Sequence, residues 1–133
     1  MSAADLIIDC ISWNESAENA LSIQSLNCSV LDIKKQVNND LASLFQISIK
    51  NEIVGYYVLR IDEYVSGNVG VVVAMACVNQ GVDMTALLDP VISKQFKNCV
   101  AMRVHTARAG LVKKLSKLGY MPQEFVMKKA LNV

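Results

Sequence analysis

The sequence predicts an α/β fold: a mixed, mostly antiparallel twisted sheet flanked by helices. Three observations carry this. Val69 to Val78 is a nearly continuous apolar run, the pattern of a strand covered on both faces. Two apolar runs between Leu44 and Ile61 are interrupted by Lys50-Asn51-Glu52, a hairpin signal. Finally, a strand-like run from Cys99 to His105 leads into a basic amphipathic helix, a Leu118-Gly119-Tyr120 stop and a second strand-like run.

Taken in order, Leu6 to Trp13 reads as a first strand, because apolar and polar residues alternate in a β-branched-rich run. Glu15 to Leu26 carries Ala17, Ala20, Leu21 and Leu26 at helical spacing, and Ser29 is suited to cap a second helix bearing Leu31, Ile33 and Val37. After the hairpin, Ser66-Gly67-Asn68 makes the turn into the Val69 to Val78 strand, expected mid-sheet. Asp83 is placed to cap a helix from Met84 to about Lys97 whose face holds Leu87, Leu88, Val91, Ile92 and Phe96. Pro90 is expected to strain or shorten that helix. A strand, a crossover helix and the Cys99 to His105 strand imply a right-handed parallel connection, so the sheet is mixed. Leu111, Val112, Leu115 and Leu118 mark the buried face of the last helix, with Lys113, Lys114 and Lys117 opposite. Gly119 suits a left-handed helix end, Pro122 discourages continuation, and Phe125 to Leu131 is expected to return as a strand.

The chain has 133 residues, enough for one domain with a core of its own, and no linker or internal repeat divides it. Apolar residues are 53% of the total and charged residues 19%, which excludes a disordered chain and leaves room for a partner subunit over some apolar surface. The net charge of +1 hides an asymmetry: residues 1–93 hold four Lys or Arg and eleven Asp or Glu, residues 94–133 nine and one. Basic residues spread along strand and helix faces without interleaved aromatics do not suggest nucleic-acid binding. Pairing with the acidic part of the same fold is the expected use of that charge. Cys10, Cys28, Cys77 and Cys99 have no CxxC spacing and His105 stands alone, so no zinc site is expected and the thiols read as core residues. No leader and no apolar run of about 20 residues is seen, so the expectation is a non-membrane protein of a reducing, cytoplasmic compartment.

The order of elements, together with Arg108 to Tyr120 (RAGLVKKLSKLGY) and its Lys117-Leu118-Gly119-Tyr120 ending, resembles the GNAT superfamily of acyl-coenzyme A-dependent N-acyltransferases. Ile53-Val54-Gly55 in the second hairpin strand is similar too. The resemblance implies that the two parallel strands splay, that the pantetheine of acetyl-CoA enters the wedge, and that its pyrophosphate meets the next helix N-terminus, where free N–H groups and the helix dipole favour anions. It places Cys77, Val78, Gln80, Gly81, Val82, Asp83, Met84 and Thr85 around the coenzyme, with Arg108, Leu111 and Leu115 on the last helix. The family loop carries Gly where this chain has Asp83, and Gly or Ala where it has Thr85. A carboxylate there uses the amides that bind phosphate and repels it.

The implied reaction, acetyl transfer to an amine, needs a base and a proton donor. The family's tyrosine position is Leu115 here, its asparagine position is Arg108, and Val69 to Val78 holds no carboxylate. The substitutes are His105 as base, Tyr120 or Tyr57 as acid and Cys77 as nucleophile; each has an ordinary structural reading as well. Two functions follow: an acyl-CoA-dependent N-acetyltransferase with an amine acceptor, or a non-catalytic relative with a binding, regulatory or structural role, as a homodimer or in a larger assembly such as a virion. No G-x-x-x-x-G-K-[ST], G-x-S-x-G or H-E-x-x-H occurs, which removes most nucleotide, hydrolase and zinc-protease readings.

Overall fold

A computed structural model describes residues 5–23, 29–78, 81, 83–106 and 109–131. Its elements are β1 (Leu6–Ile11), α1 (Glu15–Ser22), α2 (Val30–Asn38), β2 (Ser43–Ile49), β3 (Glu52–Tyr64), β4 (Gly67–Cys77), α3 (Met84–Gln95), β5 (Ala101–Val104) and α4 (Ala109–Lys117). The strands form one five-stranded sheet in chain order, antiparallel from β1 to β4 and parallel between β4 and β5. The mixed α/β architecture therefore stands. No helix among the described residues is long and apolar enough to cross a membrane.

Local chemistry explains the boundaries. Asn14 caps α1 by accepting from the Ala17 N–H at 2.8 Å, and the Ser29 hydroxyl accepts from the Asp32 N–H at 3.2 Å to start α2. The β2–β3 hairpin turns on Lys50 and Asn51, with φ of 51° and 65°, the pair of positive values a two-residue turn demands. Pro90 lies inside α3 without breaking it, contrary to the expected strain or shortening. Leu26 and Cys28, expected on or beside the first two helices, lie outside the described residues.

Helices cover both sheet faces. On one, Ala17, Leu21 and Ile33 from α1 and α2 pack with Leu44, Tyr56, Val58, Val71, Val73 and Ala76. On the other, Met84, Leu88 and Ile92 of α3 and its C-cap Phe96 pack with Ile47, Tyr57, Leu59 and Val72. Phe96 lies so close over Gly70 that any side chain at that position would enter its ring. α4 is tied to α3 by its own side: Lys114 reaches Asp83 at 3.5 Å, and just beyond the helix Tyr120 donates to Asp89 at 2.8 Å.

Several expectations need correction. Phe125 to Leu131 is not a strand; it is irregular and exposed, because alternation alone makes no strand without main-chain bonds to a neighbour, and among the described residues it joins no ladder. The strand over Val69 to Val78 is second from the edge rather than central, since among the described residues only β5 lies beyond it. Among the described thiols, Cys10 is exposed because it sits on an outer strand, whereas Cys77 and Cys99, at a strand end and in a loop, are half-buried against the α3-side core. On α4 Leu115 is buried and Leu111 half-buried, whereas Val112, and Leu118 just beyond the helix, are exposed, so the helix buries a narrower stripe than the spacing implied. Asp62 is half-buried and held by Arg60.

Candidate functional site

The site begins with an irregularity in β4. Val58 of β3 pairs with Ala74 and Leu59 with Val72, so Val73 is an extra residue in β4, a bulge that bends the strand. Val73 and Ala74 accordingly face the same α1–α2 layer, breaking the alternation. The parallel ladder between β4 and β5 runs from Val69↔Ala101 to Val72↔Val104 and stops there, while β4 continues to Cys77. Bulge and end of ladder coincide, and β5 itself ends at Val104, so among the described residues the β4 edge from Val73 to Cys77 has no ladder partner on that side. This open edge is where the implied wedge falls.

The far end of β4 forms one wall. The Val78 N–H is bonded to the Val54 carbonyl at 2.8 Å, holding the strand exit against β3. Gly55, opposite Cys77, approaches so closely that a Cβ there would press on the Ala76 carbonyl and the Met84 methyl. This absence of a side chain lets Met84, 5% exposed, plug the sheet at the start of α3. In the loop between β4 and α3, Gly81 is exposed, and Thr85 in the first turn of α3 is half-buried.

Asp83 is the electrostatic centre of that loop. Its carboxylate accepts from the Ala86 N–H at 3.4 Å, so it caps α3 as its position requires, and it also meets the Lys114 ammonium at 3.5 Å. One helix N-terminus is thus shared by a carboxylate from within and a cation from α4. Lys114 is the residue that reading the sequence missed. It was placed on a solvent face, and nothing in a Lys-Lys pair signals that one of them turns towards a helix end thirty residues earlier.

The remaining predicted residues divide cleanly. Cys77, Val78, Gly81, Asp83, Met84 and Thr85 come together at the top of β4 and the start of α3. Leu115 is buried and Leu111 half-buried on α4. Gln80, Val82 and Arg108 lie outside the described residues. His105 is exposed in the segment just past β5, and β4 carries no ionisable group besides the Cys77 thiol.

The two tyrosines are occupied. Tyr57 is fully buried on β3, stacked on Phe45 with centroids 5.0 Å apart, and its hydroxyl donates to Gln95 at 2.8 Å. Burial pushes its phenol up to about 12. Tyr120, half-buried, donates to Asp89 beside the middle of α3; burial first, and then that carboxylate, raise its phenol well above the usual range. Neither is aimed at the top of β4. A separate cleft of about 310 Å³, lined by Asp40, Ser43, Phe45, Arg60, Gln95 and Phe96, lies at the opposite end of α3 and does not join the wedge.

No family model and no curated relative matches the chain. Solved structures do. An aminoglycoside acetyltransferase from an uncultured soil metagenomic sample, in complex with sisomicin, superposes with a TM-score of 0.63 at 14% identity, covering 98% of this chain and 97% of that one. A ribosomal-protein-alanine N-acetyltransferase from Brucella melitensis gives 0.63 at 12%, covering 95% and 98%. A transcriptional regulator from Bacillus halodurans gives 0.64 at 13%, covering 94% and 100%. Likeness over whole chains at such low identity establishes the fold: this protein has the GNAT fold, shared with acetyltransferases.

Proposed function

We propose that this protein binds an acyl-CoA, acetyl-CoA first among them, in the wedge between β4 and β5, and transfers the acetyl group to an amine. The observation that carries the proposal is the coincidence of the Val73 bulge with the end of the β4–β5 ladder. A strand whose edge is relieved of its neighbour offers main-chain donors and acceptors to an extended amide-bearing chain, the chemistry of pantetheine. Gly81 leaves room for the backbone to approach the pyrophosphate, and the α3 N-terminus with Lys114 supplies positive potential.

The transfer asks little of side-chain acid–base chemistry when the acceptor arrives as free amine. Attack on the thioester carbonyl forms the amide N–C bond, breaks the C–S bond and releases the thiolate of coenzyme A, which takes the proton the nitrogen gives up. We assign the relay of that proton through water to His105, exposed past the end of β5, rather than to Tyr57 or Tyr120, whose hydroxyls are committed elsewhere.

One observation favours the second reading, a non-catalytic acyl-CoA-fold protein with a binding or regulatory role. Asp83 occupies the Ala86 amide at the start of α3 and sets a negative charge where a pyrophosphate would bind. Calorimetric titration with acetyl-CoA, followed by mass spectrometry of a mixed amine panel incubated with it, separates the cases. Binding with acetylated product supports transfer. Binding without product, or no binding at millimolar coenzyme, overturns transfer and supports the second reading.

A further inference from the structure

The cleft at the far end of α3 has a volume of about 310 Å³, at the lower end of the range in which small-molecule sites fall. Its walls are fixed. Phe96 is buried over Gly70, and half-buried Phe45 is backed by the ring of Tyr57 with centroids 5.0 Å apart, so that the rest of the Phe45 ring lines the cleft. Gln95 is held by its side-chain carbonyl, which accepts from the Tyr57 hydroxyl at 2.8 Å. The turn carrying Asp40 is closed on the end of α2 by main-chain bonds, Asp40 N–H to the Val37 carbonyl at 3.2 Å and Leu41 N–H to the Gln36 carbonyl at 2.9 Å. A site built this firmly loses little ordering entropy when a ligand enters.

The chemistry of the lining selects the occupant. Asp40 is exposed, and among the described residues no cation pairs with its carboxylate. The Arg60 guanidinium is turned to Asp62 and to Gln36 of α2, and the exposed Lys94 and Lys97 do not line the cleft. Gln95 and Phe96 form the C-terminal end of α3, the negative end of the helix dipole. Carboxylate and dipole together favour a cation. Phe45, Ile61 and Phe96 favour an apolar body beside it, and aromatic faces receive a cation as well. We propose that this cleft binds a small aromatic cation, one ring carrying a protonated amine on a short arm, with the ammonium at Asp40 and the ring against Phe45 and Phe96. Because the cleft does not join the wedge, the amine held there is not the one acetylated.

Two-dimensional amide NMR of the full chain, titrated with benzylammonium and with no coenzyme added, tests this. Shifts are expected at residues 40–45, 59–61 and 95–96, with a Kd of about 1 mM or lower, in keeping with the size of the probe. Phenylacetate, with the same ring and the opposite charge, and methylammonium, with no ring, should each bind about tenfold more weakly or worse. Asp40→Asn keeps a residue type that tolerates the left-handed backbone there, φ 58°, and should weaken benzylammonium about fivefold with the melting temperature unchanged. Ser43→Phe, at an exposed strand position, fills the cleft and should abolish the shifts. No shifts at about 10 mM probe, equal affinity in Asp40→Asn, or phenylacetate bound as tightly as benzylammonium would overturn the site. Shifts confined to residues 73–77 and 83–85 would overturn it too, and would place the amine at the proposed acceptor position with the transfer reading intact.

Discussion

At the scale of single residues, Asp83 does two opposed things. It completes α3 by accepting from Ala86, and it sets a negative charge where an incoming pyrophosphate needs amides. Asp83→Ser separates the two, because serine caps about as well while carrying no charge. Stability should change by less than about 0.5 kcal/mol in urea denaturation, whereas acetyl-CoA affinity measured by calorimetry should rise roughly fivefold, the value of one charge at a helix end. Unchanged affinity would mean that phosphate does not approach this helix. Tyr120→Phe makes the complementary case. It removes the bond to Asp89 and should cost about 1–2 kcal/mol of stability, with coenzyme affinity untouched. A third residue responds to pH. Two hydrogen bonds from Arg60 hold the Asp62 carboxyl below its ordinary value, outweighing the opposing effect of partial burial. A depressed folded-state pKa stabilises above the unfolded-state value, near 4 for an aspartate, and that contribution is lost as pH falls through the folded value. Melting temperature should therefore decline less between pH 5 and pH 2, roughly, in Asp62→Asn than in the parent chain.

At the scale of elements, the tightest constraint is where α3 crosses β4. Phe96 lies against Gly70, and the hydrophobic surface of α3 is seated by that contact. Gly70→Ala should cost about 1–3 kcal/mol, the range for overpacking, read as a lower urea midpoint with an unchanged m-value. The contrast with Gly119 is instructive. It has φ of 96° at the end of α4 with open space around it, so Gly119→Ala strains the backbone alone. These two glycines show what reading the sequence reaches. Gly119 was legible because a helix stop is local, read from Leu115, the lysines before it and Pro122 after it; Gly70, inside an apolar run, gave no sign of the ring above it. The same boundary divides the rest. Asn51 in a hairpin turn, Ser29 and Asp83 as caps and the chain order of the strands depend on neighbours in sequence and were readable. The Val73 bulge was not, since Val71 to Ala74 offers no alternation for a bulge to interrupt. Phe125 to Leu131 read as a strand because its residue types are right; whether such residues pair depends on an edge elsewhere in space.

At the scale of the whole molecule, the charge asymmetry survives folding. Lys114 to Asp83 joins the acidic and basic parts of the chain, but Lys34–Glu18 and Arg60–Asp62 form within the acidic part, and Arg103–Glu124 within the basic one. Among the ion pairs of the described residues, the expected neutralisation of one part by the other is thus met by Lys114–Asp83. Lys113 and Lys117 are exposed on α4, as are Lys128 and Lys129 beyond it. A molecule of net charge +1 therefore carries a directed field, positive on the α4 side, next to the mouth of the proposed coenzyme site. Coenzyme A is a polyanion, and such a field acts on its approach more than on its departure. Stopped-flow measurement of acetyl-CoA binding should find the association rate falling several-fold between roughly 0.05 and 0.5 M NaCl, where the screening length shrinks to a few ångströms. The dissociation rate should change much less, and Lys113→Glu with Lys117→Glu should reproduce the loss at low salt without altering the melting temperature by more than a degree or two, as expected for exposed charges. Equal effects of salt on both rates would assign the dependence to direct ion pairs in the bound state, with Lys114 the first residue to examine.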